Sequence, residues 1–393
     1  TALVPRVSRS GLLTFSFAVT QDGTSRYIVF GPDAAGAPGP RVAANQRVPG
    51  LLGGEVFGDI ATPAILDDAG RLLMRTTLAA SPGGTPVPAN ADTVVVGTDA
   101  AGVPVVLARE GDPVPGVAGA VFANFDATES TAIGAEGRRA FIAYFVLETR
   151  YQCGVFQTDA AGALELVAGG GPAPGFAQPE AYLRYCRSLA STADGRLAFE
   201  ADVEVGDDTY ETLYAQDEDG SLVVVARWGD PAPGTDGIWY DLNTSFHLNG
   251  RGQIAFVSTW WSLSENASVA ALWLYTPGAG SQRLLQGGDR LSLGPGDERT
   301  LKYIRQPWVH PAASGEADGR LLGITNDGEV FVDLYFLEPS INPQQYSNMA
   351  VVRLWVEEGA DLPPQAEADS WPAGQETLLA IVAPGVLGND GDP

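Results

Sequence analysis

The stretch VVLAREGDPVPG, residues 105–116, decides the fold, because it returns as VVVARWGDPAPG at 223–234 and as LELVAGGGPAPG at 164–175. A weaker copy, VAANQRVPG, occupies 42–50. In each copy an apolar, largely β-branched run halts at a turn rich in Gly and Pro. Proline has no backbone N–H to give to a sheet ladder and pushes the residue before it to extended geometry. Each copy therefore reads as a strand with a fixed end.

Around this motif a second mark recurs, a Gly that opens an apolar run. It is found at Gly11 (GLLTFSF), Gly70 (GRLLMRT), Gly137 (GRRAFIA), Gly195 (GRLAFEA), Gly252 (GQIAFVS) and Gly319 (GRLLGIT). Successive glycines stand 57 to 67 residues apart, a period of about 60 residues repeated six times and a mark of repeat architecture. After the Gly-led strand comes a second strand closed by an Asp-x-x-Gly turn, as at 99–102, 159–162 and 217–220. Asp bonds its own backbone there and Gly takes the positive φ that a tight hairpin needs. The opening motif supplies the third strand, and an aromatic segment such as 182–189 or 238–248 supplies the fourth.

Four strands per period, six times, predict an all-β chain folded as a six-bladed β-propeller over residues 1–364. The last period lacks a fourth strand, and residues 1–8 resemble the tail of one. The N-terminal strand is therefore expected to complete the last blade and close the ring. Alternation along the Gly-led strand points Leu13, Leu72, Leu197 and Ile254, with Phe15, Met74, Phe141, Phe199 and Phe256, into the interior. The intervening Ala140, Ala198 and Ala255 are also apolar, so both faces are expected to be covered.

Composition agrees. With 48 Gly and 28 Pro, short strands and turns are expected over long helices. The formal charge of −25, with Lys302 the one lysine, sets the surface against phosphate backbones and anionic headgroups, which argues against nucleic-acid partners. No segment reaches the ~18 apolar residues of a membrane span. The chain starts at Thr1 without Met, which fits a removed signal peptide. Cys153 and Cys186 lack metal-ligand spacing, which leaves a disulfide or two free thiols, with an exported location favouring the disulfide.

Catalytic signatures such as G-x-S-x-G, H-E-x-x-H and C-x-x-C are absent. The two histidines, His247 and His310, occupy non-equivalent places in their repeats and read as structural. Glu200, Asp202 and Glu204 alternate along one strand and share a face, so they must be solvated or neutralised by a cation. A solvated edge, a Ca²⁺ site and an acid/base pair all remain open readings. Asp112 and Asp230, each three residues after an Arg, are expected to stabilise their turns. Trp228 replaces the Glu110 and Gly169 of sister repeats, and Trp260 lies in the adjoining blade. They read as core filling or as a platform for a sugar or a partner.

Beyond residue 364 the repeat ends. The tail at 365–393 contains ETLLAIVAPGVLGND and resembles the opening of bacterial cadherin-like and immunoglobulin-like adhesin repeats, whose strand reads tLxVxAPGVLxND. That family's fold is a β-sandwich of about 100 residues, so this piece would be only its first strand. Residues 1–364 resemble secreted bacterial tandem-repeat proteins with LVARxGDPxPG and a following aGxxAF strand. The resemblance implies export and implies no chemistry.

The sequence thus reads as an exported, non-enzymatic structural, adhesive or assembly module of the bacterial cell surface. Glu376, Leu378, Leu379, Ile381 and Val382 of the tail strand are expected to pair with a neighbouring copy or another surface protein. The rival is a polysaccharide hydrolase or lyase, or a glycan-binding module, using Glu200, Asp202, Trp228 and Trp260.

Overall fold

Each of the six repeats turns on the same backbone device. Gly11, Gly70, Gly137, Gly195, Gly252 and Gly328 all have positive φ, between 72° and 90°. Gly195 N–H donates to Thr192 O and Thr192 N–H to Arg196 O, at 3.0 and 2.8 Å, and the same pair of bonds recurs at Ser8, Asp67, Asn249 and Thr325. The side chain that opens the turn caps it: Asp67, Thr192, Asn249 and Thr325 each accept a backbone N–H from four residues ahead. The described sixth turn is at Gly328; Gly319, expected to open the sixth repeat, lies outside the described residues.

The computed structural model describes residues 6–8, 11–21, 24–33, 36–51, 53–58, 64–99, 101–125, 131–134, 137–242, 246–292, 298–305, 323–337, 348–354 and 366–369. Among them there is no α-helix, and the strands form six antiparallel sheets. The first contains β1 (Arg6–Val7), β2 (Leu13–Gln21), β3 (Thr24–Pro32) and β4 (Pro38–Ala43). The second contains β5 (Val56–Phe57), β6 (Ile65–Leu66), β7 (Leu72–Ala79), β8 (Thr93–Thr98) and β9 (Pro104–Arg109). In the third are β10 (Val121–Phe125), β11 (Thr131–Ile133), β12 (Arg139–Leu147), β13 (Arg150–Thr158) and β14 (Leu164–Ala168). The fourth holds β15 (Tyr182–Ser191), β16 (Leu197–Val205), β17 (Asp208–Gln216) and β18 (Leu222–Arg227). The fifth holds β19 (Ile238–Asp241), β20 (Phe246–Leu248), β21 (Ile254–Ser262), β22 (Ala267–Thr276) and β23 (Gly280–Gln286). The sixth runs β24 (Arg290–Ser292), β25 (Glu298–Arg305), β26 (Val330–Phe336), β27 (Asn348–Leu354) and β28 (Ala366–Asp369).

The aromatic segment thus belongs to the Gly-led strand that follows it, so each sheet is one contiguous stretch of chain. Two expectations change with that phase. Arg6 and Val7 pair with Thr14 and Leu13 of their own sheet and not with the last one. The last sheet is completed instead by Ala366–Asp369, paired to β27, which draws the start of the expected tail into the repeat region. Glu376, Leu378, Leu379, Ile381 and Val382 lie outside the described residues.

The opening motif does more than end a strand. After β9 the backbone folds back on the next sheet's first strand, with Gly111 N–H donating to Phe122 O at 2.8 Å and Phe122 N–H to Asp112 O at 2.9 Å. Gly229, Trp239 and Asp230 repeat these bonds one sheet pair later. Each motif therefore stitches the outer strand of one sheet to the first strand of the next.

Both faces of the central strands are covered, as expected. Leu72 and Met74 pack toward the first sheet while Leu73 packs toward the third, and Phe256 packs toward the fourth while Ala255 packs toward the sixth. Five such cores join consecutive sheets in sequence order. Leu13 departs from the pattern: it is 44% exposed, on a face of the first sheet that the described residues leave uncovered.

A disulfide joins Cys153 of β13 to Cys186 of β15, both fully buried, and ties the third sheet to the fourth. The bridge spans a sequence separation of 33 residues. Closing a loop of that size restricts the unfolded chain by about 3–4 kcal/mol. Cys153→Ser/Cys186→Ser should accordingly lower the unfolding free energy by about that amount in urea titrations, with little change in the far-ultraviolet spectrum.

Candidate functional site

Glu200, Asp202 and Glu204 project from one face of β16, as their spacing requires, and the cation that neutralises them is arginine. In the β15–β16 ladder Arg187 stands opposite Glu200 and Tyr182 opposite Glu204, with a bulge between that brings Arg184 within reach. Arg187 donates through Nε to Glu200 Oε2 at 3.2 Å and through Nη1 to Asp202 Oδ1 at 2.8 Å. Glu211 of β17 lies 4.0 Å from its Nη2, and Arg184 holds Glu204 at 3.0 Å. Burial disfavours the Arg187 charge, but Asp202, Glu200 and Glu211 outweigh it and hold the guanidinium above its ordinary range. The trio read from the sequence as a possible Ca²⁺ site thus fans out to two arginines, Arg187 and Arg184. Among the described residues no group of three or more His, Cys, Asp or Glu is placed to hold a metal ion.

Trp228 and Trp260 have different fates. Trp228 is 40% exposed and rests on Tyr210, ring centroids 5.9 Å apart. Tyr210 meets Phe176 edge-on at 5.7 Å, and the Arg227 guanidinium lies over the Phe176 ring at 4.7 Å. Arg227 also forks onto Asp230 at 2.9 and 2.8 Å, the turn-stabilising pair expected from the motif. Its counterpart does not form: Arg109 donates to Glu55 Oε1 and Ala91 O, and burial raises the Asp112 carboxyl.

Trp260 is buried in the core between the fourth and fifth sheets, and it lines a polar pocket of about 280 Å³ on the fifth. The wall is made by Gly234, Thr235 and Asp236 just past the Pro-Gly end of the motif, by the 262–265 hairpin, and by Arg283 and Gln286 of β23. Asp236 fixes this wall, accepting Ser264 N–H at 2.9 Å and the Ser262 hydroxyl at 3.2 Å. Those bonds hold its carboxyl below the usual range. Neither Glu200, Asp202 nor Trp228 lines the pocket, so the proposed ligand residues fall into three separate places.

Sequence reasoning missed Arg187, Asp236, Arg283 and Gln286. The signal for Arg187 lay in the strand register, which a bulge between Arg187 and Ala190 shifts. His247 is the structural histidine expected: buried, its Nδ1 accepts Gly323 N–H at 3.2 Å. Burial lowers its pKa from 6.5 to about 4. His310 lies outside the described residues.

The chain belongs to a family of unknown function (DUF7453), which matches residues 5–340. No curated protein matches it. Similar solved structures include Porphyromonas gingivalis dipeptidyl peptidase 4, at 11% identity and a TM-score of 0.42, covering 89% of this chain and 48% of that one. The chain thus spans about half the length of that peptidase. The β-propeller domain of the Trilobed protease from Pyrococcus furiosus, described as having an open velcro topology, is 10% identical with a TM-score of 0.39, covering 93% and 91%. The periplasmic gluconolactonase of Pseudomonas aeruginosa is 12% identical with a TM-score of 0.28, covering 92% and 100%.

Two outcomes follow from the site's electrostatics. Arg187→Ala leaves the buried Glu200 without its cation and should cost about 3 kcal/mol, of which Glu200→Gln in the same chain recovers part, measured by urea unfolding. For His247 the unfolded chain takes a proton near pH 6.5 and the buried ring only near 4. Stability is then full above pH 6.5 and falls as the pH drops toward 4, by about 3 kcal/mol. His247→Asn, which keeps the acceptor, should flatten that fall.

Proposed function

We propose that the chain is a six-bladed propeller that works outside the cytosol as a non-enzymatic binding or adhesive module of the cell surface. The observation that carries this reading is the set of flat rings left in solvent: Tyr151, Tyr185, Trp228 and Tyr240 are 42%, 44%, 40% and 48% exposed. Such rings offer apolar faces with polar tips, the chemistry that grips sugar rings and protein surfaces. Arginine stands with them, Arg184 lying over Tyr185 at 5.4 Å.

The acids that a hydrolase would need favour the same reading, because Glu200 and Asp202 are engaged by Arg187. The Cys153–Cys186 bridge suits an oxidising compartment. For the ring, support comes from the two end sheets. Leu13, Phe15 and Phe17 on the first and Tyr303 and Tyr335 on the sixth form the apolar faces that the described residues leave open, and each would cover the other. Self-association through 376–383 is part of the proposal and rests on the apolar strand pattern of the tail alone.

Immobilised acidic and neutral polysaccharides provide the test. Binding without release of reducing ends, weakened about tenfold by Trp228→Ala or Tyr185→Ala, is the expected result. Release of reducing ends that disappears in Glu200→Gln would make the chain an enzyme and overturn the reading.

A further inference from the structure

Two of the exposed tyrosines stand over one buried ring. Tyr144 of β12 is buried, and Tyr151 of β13 lies stacked on it, ring centroids 5.2 Å apart and planes within 7° of parallel. Tyr185 of β15, in the next sheet, meets Tyr144 at 6.1 Å and a steep 67°. Both outer rings thus touch the same inner one, close enough for one oligosaccharide to reach both. The row continues across the third sheet, where Val146 stands opposite Tyr151 and Val121 opposite Val146, both exposed.

This shelf is held in place from below. Tyr144 pairs with Cys153 in the β12–β13 ladder, and its hydroxyl donates to Cys186 O at 3.3 Å. Tyr151 precedes Cys153 by two residues, on the same face of β13, and Tyr185 directly precedes Cys186. The disulfide therefore clamps together the two strands that carry the exposed rings. Rings fixed in advance lose little freedom when a ligand arrives, which favours affinity.

The surroundings choose the occupant. Arg184 is paired with Glu204, and Arg187 with Glu200 and Asp202, with Glu211 beside it. Glu148 shares a hairpin with Arg150. Among the described residues the shelf thus has no surplus of positive charge to select an anion. The Arg184 guanidinium, 5.4 Å from the centre of the Tyr185 ring, works against a cation there. An uncharged occupant remains. The Arg184 and Glu204 side chains are both accessible and meet at one contact of 3.0 Å. A guanidinium and a carboxylate each offer several hydrogen-bonding positions, so the pair can still meet hydroxyls.

Size separates a sugar from a protein. The exposed apolar side chains here are Val121, Val146, Tyr151 and Tyr185, against the roughly 20–30 residues a side of a stable protein interface. A pyranose with equatorial hydroxyls turns an apolar C–H face to a flat ring and its hydroxyls to the polar rim.

We infer that Tyr151 and Tyr185, supported by Tyr144 and the Cys153–Cys186 bridge, bind an uncharged polysaccharide of equatorially substituted hexopyranose units. The inference rests on the binding-module reading and names its ligand class and its place.

Calorimetry on the full chain with cellohexaose, laminarihexaose and a hexamer of β-linked glucuronic acid tests it. At least one neutral hexamer should bind, and the acidic one should bind about tenfold or more weakly than that. Tyr151→Ala should lose about tenfold toward the neutral sugar while melting at the wild-type temperature, whereas Tyr151→Phe, which keeps the ring, should retain binding. Tyr144→Phe removes only the bond to Cys186 O and should weaken binding several-fold. So should Cys153→Ser/Cys186→Ser, measured where its far-ultraviolet spectrum is that of wild type. Binding of neither neutral hexamer, equal or tighter binding of the acidic one, or unchanged binding by Tyr151→Ala would overturn the assignment. Unchanged binding by both Tyr144→Phe and the disulfide-free chain would overturn the supporting role. The two readings fail separately. Polymer binding that survives Tyr151→Ala and is lost in Trp228→Ala removes the shelf and leaves the module, whereas cleavage of the neutral hexamer removes the non-enzymatic module and leaves the shelf.

Discussion

A glycine that has to do two things at once underlies the whole structure. At Gly137, Gly195 and Gly252 the backbone takes a positive φ, and the absent side chain also makes room for an arginine from the preceding sheet. A Cβ at Gly195 would stand 2.6 Å from Arg138 Cδ, and one at Gly252 would stand 2.7 Å from Arg196 Nη1. Arg71 occupies the matching space at Gly137. Each of these arginines directly follows the glycine of its own turn, so the turns at Gly137 and Gly195 both receive an arginine and send one on, whereas Gly70 only sends one and Gly252 only receives one. Arg196 passes the contact to Gly250 O at 3.3 Å, and Asn249 and Asn326 carry it to the sixth turn at 2.7 Å. The turns thus form a polar seam along one end of the stacked sheets, and that seam fixes the spacing at which the apolar cores can interlock.

The site chemistry inherits this spacing. Because the first strand of each sheet leans on its neighbour, Cys153 and Cys186 meet across a sheet boundary, and the wall of the fifth-sheet pocket is built by the loop that stitches the fourth sheet to it. The loop continues the Gly-Asp-Pro motif, with Ala232 O accepting both Thr235 N–H and its hydroxyl. A feature that is purely structural in the second and third sheets thereby becomes the rim of a polar cavity in the fourth. Gly237 belongs to the same arrangement: a side chain there would run into the Trp261 carbonyl and Trp260 ring.

Much of this was legible in the residues. The period, the Asp-x-x-Gly hairpins and the double-faced strands follow from local rules, and Asp99 and Asp159 make the backbone bonds that their turns require, near 2.8 Å. The phase of the repeat was not legible, because an aromatic strand before a Gly can close one sheet or open the next with equal alternation. Gly319 fits the spacing of the sixth turn, while the described turn at Gly328 sits 76 residues beyond Gly252. The carboxylate trio was found, but its cation was hidden in a bulged cross-strand register.

The seam is tested most directly by comparing Gly195→Ala with Gly220→Ala. Both glycines have positive φ, 90° and 81°, but a Cβ at Gly220 meets nothing within 4 Å. Urea unfolding should show Gly195→Ala losing about 1–3 kcal/mol more than Gly220→Ala, with the excess vanishing when Arg138 is also changed to Ala. Equal losses at the two glycines, or an excess that survives Arg138→Ala, would contradict the account.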